Sequence, residues 1–229
     1  MRYALYFTPP QDHPLTVAAA RWLGRDAFTG DEFPRRDYQG LEANQQSALT
    51  ADPRRYGFHA TLKAPFHLVS TESEAQLLAS VDAFATKTAP FSIPQLVLGQ
   101  LGRFFALVPA SHYEPLQSFA AAAVRDFEPL RAPLSESDIA RRKPEKLSER
   151  QRENLMTWGY PYVMEEFRFH MTLTNEVPDE QSAVMRTVLE DLFDGFIGRP
   201  LDISGIAVFR EESRGTPFKV HQWLPLRGA

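Results

Sequence analysis

The sequence predicts a fold of mixed strands and helices in which one structural unit occurs twice and the copies face each other. Three observations predict it. Phe-His-x-Thr-Leu occurs twice, at Phe58–Leu62 and again at Phe169–Leu173. Each copy heads the same order of elements: a strand, an amphipathic helix, then a strand pair turning about a glycine. The spacing matches as well, with Gly102 lying 43 residues after His59 and Gly215 lying 45 after His170. Order and spacing together mark an internal duplication. A duplicated unit implies a pseudo-two-fold axis, with the two corresponding strands on either side of one cleft.

The elements follow in order. Arg2–Phe7 is short, rich in aromatic residues and ended by Pro9-Pro10, which predicts a strand. Val17 to Leu23 has helical spacing ahead of Gly24, a C-cap residue. Residues 28–55 are polar and irregular, with a helical stretch around Leu41 to Leu49. Tyr56 to Phe66 alternates between two faces as a strand does. Glu72 to Lys87 places Leu77, Leu78, Val81 and Phe84 on one helical stripe. Phe91–Leu101 and Arg103–Val108 predict two strands joined through Gly102. A helix follows over Glu114 to Phe127.

Residues 128–159 are charged and helix-prone, and predict a solvated surface insertion between two lobes, since Arg141, Arg142, Lys143 and Lys146 are offset by acids. After it the first order returns: a strand over Phe167–Thr174, a helix over Asp179–Phe193, and strands over Leu201–Phe209 and Phe218–Leu226. The chain thus predicts a single domain, 1–229, with lobes built around repeat units of about 56–109 and 167–226.

Composition narrows the function classes. The 229 residues are 43% hydrophobic and 24% charged, which excludes a disordered or collagenous chain. A net charge of −4 argues against a protein that coats nucleic acid. Cysteine is absent, so disulfides, thiolate catalysis and Cys-based zinc sites are excluded. No apolar run has the length of a signal or membrane segment, and the expected location is the cytoplasm.

The chemistry lies in the two motifs. Residues i and i+2 of a strand share a face. His59 therefore projects with Thr61, and His170 with Thr172, while Phe58, Ala60 and Leu62, and Phe169, Met171 and Leu173, form the apolar backs. Two imidazoles and two hydroxyls in one cleft suit phosphodiester cleavage without a metal. One His takes a proton from the attacking oxygen and the other gives one to the leaving oxygen. Each Thr hydroxyl donates to a non-bridging phosphate oxygen. Threonine is a poor zinc ligand, and no His-x-x-Glu-His pattern exists, so neither metal nor cofactor is expected.

Further substrate contacts are expected from position. Lys63, at i+4 from His59, points from the same face toward a second phosphate at the cleft mouth. Arg168, at i−2 from His170, is a comparable anion ligand, and Thr174 is the counterpart of Lys63 in the second unit. Tyr56, Tyr160 and Tyr162 precede the two strands and can stack on a base or sugar.

His59–Leu62 (HATL) and His170–Leu173 (HMTL) resemble the paired His-x-Thr-x motifs of the 2H phosphoesterase superfamily, which includes RNA 2′-5′ ligases and cyclic nucleotide phosphodiesterases. The flanks, RYGFHATLKAPF from Arg55 and WGYPYVMEEFRFHMTLT from Trp158, are similar to a branch encoded in bacterial phosphonate-utilisation operons. The likeness extends to WLGRD at Trp22–Asp26 and LRAPLSESDIARR from Leu130. It implies a bilobal α+β fold with two mainly antiparallel sheets lining a central cleft and helices outside. It also implies a metal-independent phosphodiesterase for a small cyclic, nucleotide or sugar phosphodiester, with His59, Thr61, His170 and Thr172 as catalytic residues. RNA-end processing or ligation ranks lower at this net charge. A non-catalytic nucleotide- or phosphosugar-binding module is the alternative from another class. No membrane and no obligate protein partner are expected.

Overall fold

The computed structural model describes residues 1–228 and shows an α+β fold whose strand pairs are all antiparallel. Strand β1 (Arg2–Phe7) leads into helix α1 (Pro14–Leu23), which begins at a proline and ends on Gly24 at φ 81°. Both choices suit those positions, because the first turn needs no N–H and the C-cap needs a left-handed residue. The irregular stretch that follows holds α2 (Ala43–Leu49) and α3 (Ala51–Tyr56). Tyr56 thus closes a helix rather than opening a strand, and β2 spans Ala60–Phe66.

Helix α4 (Glu74–Lys87) starts at a reciprocal Ser73–Gln76 capping box. The predicted strand Phe91–Leu101 divides into β3 (Phe91–Ile93) and β4 (Leu96–Leu101), before β5 (Phe104–Pro109) and α5 (Glu114–Asp126). The charged stretch contributes α6 (Glu136–Arg141) and α7 (Glu149–Trp158). The second unit comprises β6 (Met171–Thr172), α8 (Asp179–Phe193), β7 (Leu201–Ile203), β8 (Gly205–Glu211) and β9 (Lys219–Pro225). No helix among the described residues is long and apolar enough to cross a membrane.

The predicted strand Phe167–Thr174 is hydrogen-bonded as strand only at Met171–Thr172. Its alternation is nonetheless real. Phe167, Phe169, Met171 and Leu173 are buried while Arg168, His170 and Thr172 are not. The pattern reported burial, which persists where the ladder stops.

The sheets combine the two units. One has the order β2-β1-β8-β9, a second β4-β5-β6, and a third pairs β3 with β7. Each of the larger sheets therefore holds the His-x-Thr segment of one unit and the strand pair of the other. The expectation that each repeat builds its own lobe is corrected by this exchange. In the four-stranded sheet, Leu5, Ile206, Val208 and Leu224 face the main core. Tyr6, Ala207 and Phe209 face the other way and join Phe218 in a smaller apolar cluster.

Candidate active site

Gly57 sets the approach to the first motif. It takes φ 82°, and a Cβ there would lie 2.5 Å from the Ala27 side chain, so only glycine fits. Its carbonyl lies 2.8 Å from Nδ1 of His59. The second motif repeats this contact, with the Arg168 carbonyl 2.7 Å from Nδ1 of His170. A carbonyl can only accept, so Nδ1 carries the proton in both rings, and Nε2 of a neutral ring is left as an acceptor. At His59 that acceptor lies 3.3 Å from the Thr61 hydroxyl.

A cavity of about 490 Å³ is lined by His170 and Thr61, and a second hollow of about 270 Å³ by His59 and Thr172. Phe104 lines both. Each hollow joins the histidine of one motif to the threonine of the other.

Burial disfavours the imidazolium and lowers the pKa of His59 to about 4. The Gly57 carbonyl opposes that shift, and charge on His170 adds to it. Burial also lowers the pKa of His170, against the Arg168 carbonyl. The Tyr6 ring stacks on His59 with centroids 3.8 Å apart and planes at 21°. Its own phenol is pushed well above the ordinary value, chiefly by burial.

The predicted substrate contacts divide. Arg168 is exposed, lines the larger cavity and makes no ion pair among the described residues. Tyr56 lines the smaller hollow, with its ring 6.1 Å from His59 and stacked on Phe218. Tyr160 and Tyr162 both line the larger cavity.

Lys63 is corrected. Tyr6 pairs with Thr61 but Leu5 pairs with Lys63, so β2 carries one extra residue there and Lys63 turns to the opposite face. It is 2% exposed, and its ammonium lies 2.7 Å from Glu128 and 3.1 Å from the Val124 carbonyl. Thr174 is corrected as well. It borders the smaller hollow, but it is buried and its hydroxyl accepts the Phe105 N–H at 2.9 Å.

Sequence reasoning missed Gln151 and Glu166, which the structure places in the larger cavity. Gln151 comes from the stretch expected to be a solvated face; α7 instead walls the cavity. The Ser148–Gln151 capping box was a signal for the helix, but not for what its side chain meets. Among the described residues, no three His, Cys, Asp or Glu side chains are grouped closely enough to hold a metal ion.

Residues 61–219 match a family model described as a protein of unknown function, DUF1045. Ribose 1,5-bisphosphate phosphokinase PhnN of Janthinobacterium sp. (strain Marseille) is 38% identical over 99% of this chain and 51% of its own length. The protein of that name from Laribacter hongkongensis (strain HLHK9) is 33% identical over 100% and 53%. This chain spans about half the length of the curated relatives it matches. Among solved structures, TT0787 of Thermus thermophilus aligns over 100% of this chain and 99% of its own, with TM-score 0.49 and 17% identity. LigT of E. coli complexed with 3′-AMP aligns over 98% and 97%, with TM-score 0.42 and 13% identity.

Proposed function

This chain belongs to the DUF1045 family, and we propose that it is a metal-independent phosphodiesterase acting on a small cyclic phosphodiester of a sugar or nucleotide. The observation that carries this reading is that His59 and Thr172 line one hollow, His170 and Thr61 line the other, and Phe104 lines both. In this reading a phosphate held between the two motifs is met by an imidazole Nε2 and a hydroxyl from each.

His59, which burial keeps neutral, is the base: its Nε2 takes a proton from water as the water oxygen bonds to phosphorus. His170 in its protonated form is the acid, and its Nε2 proton passes to the leaving oxygen as the old P–O bond breaks. Thr61 and Thr172 donate to the non-bridging oxygens, where charge accumulates. Arg168 receives a further anionic group of the substrate. Each proton taken at one face is returned at the other, so no Lewis acid is required.

The name of the relatives supports a sugar substrate. Opening a cyclic phosphodiester on a ribose that already bears a phosphate yields a ribose bisphosphate, the class of compound in that name. This chain has no Gly-x-x-x-x-Gly-Lys run for binding a nucleotide triphosphate, so the kinase part of the name is not carried over to it. A role in phosphonate use follows from the operon resemblance of the flanks.

The test is turnover of a panel of cyclic and linear phosphodiesters, with and without EDTA, by the wild type and a His59→Ala/His170→Ala variant. Chelator-resistant turnover lost in the double variant is expected. Tight binding without turnover across the panel would favour a phosphosugar-binding module instead.

A further inference from the structure

The larger cavity contains a carboxylate that the acid–base scheme does not use. Glu166 lines it together with His170 and Thr61. Its Oε2 accepts from Nε2 of Gln151 at 2.8 Å. The Gln151 amide is itself oriented, because its Oε1 accepts the Ser148 N–H at 3.2 Å within the capping box of α7. Glu166 makes no ion pair among the described residues, although its neighbour Glu165 pairs with Arg150. Nor does Oε1 of Glu166 have a protein donor among them.

Glu166 is held by a neutral amide while Arg168 in the same cavity is free for an anionic group, so the carboxylate suits a neutral donor such as a hydroxyl. Glu166 shares the cavity with Tyr160 and Tyr162. Aromatic faces suit the apolar side of a sugar ring, and a carboxylate suits its hydroxyls.

We propose that Gln151 and Glu166 form a sugar-hydroxyl subsite, in which Glu166 accepts from a hydroxyl of the substrate's sugar and Gln151 positions the carboxylate. The subsite rests on the phosphodiesterase reading and specifies which part of the substrate is recognised. It selects among phosphodiesters by their hydroxylated portion.

Calorimetry with ribose 5-phosphate and its 2-deoxy and 3-deoxy derivatives tests this without turnover. In the wild type, one deletion is expected to weaken binding about tenfold or more, as for a lost hydrogen bond to a charged group. In Glu166→Ala the parent binds more weakly, and the penalty of that deletion shrinks to within about twofold. Gln151→Ala should give a smaller change in the same direction. Should Glu166→Ala fail to fold, Glu166→Gln serves, with a reduced penalty expected. If no deletion matters in the wild type, or if the penalty is unchanged in the variants, the subsite is refuted. Inorganic phosphate reads the phosphate position without the sugar. If phosphate binds the wild type but not His59→Ala/His170→Ala, failure of the sugar arm sinks only the subsite; if phosphate does not bind, the phosphodiester reading fails and the subsite with it.

Discussion

Tyr6 and His59 stack face to face, with ring centroids 3.8 Å apart. The stack exists because β1 lies between β2 and β8, which brings Tyr6 opposite Thr61 on one side and opposite Ala207 on the other. The aromatic ring keeps water from one face of the imidazole and so helps to hold it neutral. Tyr6→Leu is expected to raise the pKa of His59 from about 4 toward the ordinary 6.5. NMR titration of the ring reads this directly, and an unchanged pKa would remove Tyr6 from the account.

The two histidines should separate by leaving group. His59→Ala and His170→Ala are each expected to lose roughly 10²–10⁴-fold in kcat on a natural alkoxide leaving group. A nitrophenolate leaves without a proton, so His170→Ala should recover most of its rate on that substrate and His59→Ala should not. Equal losses on both substrates would overturn the assignment of base and acid.

Both imidazoles are shifted downward, which fixes the sign of the pH dependence. The proposed scheme needs His59 neutral and His170 protonated, so kcat/KM should be bell-shaped. Its acid limb lies near pH 4 and its alkaline limb below 6.5. Bound phosphate favours the His170 cation, so the alkaline limb in kcat should move to higher pH. Stability carries a related signature. The unfolded chain binds a proton at His59 between about pH 6.5 and 4 that the folded chain resists, so stability falls as pH drops through that window. His59→Gln should flatten the slope in denaturant titrations at several pH values, and a slope unaltered by the substitution would contradict the shift.

Lys63 tests the register of β2. It lies on the core side with Glu128, which also pairs with Arg131 at 2.6 Å. Lys63→Met should lower stability by about 3 kcal/mol or less, because Arg131 still neutralises the carboxylate. It should leave kcat/KM within about twofold. A large rise in KM at unchanged stability would return Lys63 to the cleft.

Much of this protein follows from the sequence alone, because local patterns are set by neighbours in the chain. The repeated Phe-His-x-Thr-Leu determined which residues face inward: Phe58, Ala60, Leu62, Phe169, Met171 and Leu173 are all buried. The stripe over Asp179–Phe193 determined α8 to its end residues. Pairing was decided only in three dimensions, since a strand's partner and register depend on residues far away. Nothing near Lys63 in the chain announces that Leu5 will pair with it one step out of register, yet a slip of one residue reverses the face. Likewise β6 joins β5 of the other unit, and α7 closes over the cavity to deliver Gln151 to Glu166. The alternation of inward and outward residues was legible in the repeat, while the walls around the two motifs were chosen by long-range packing.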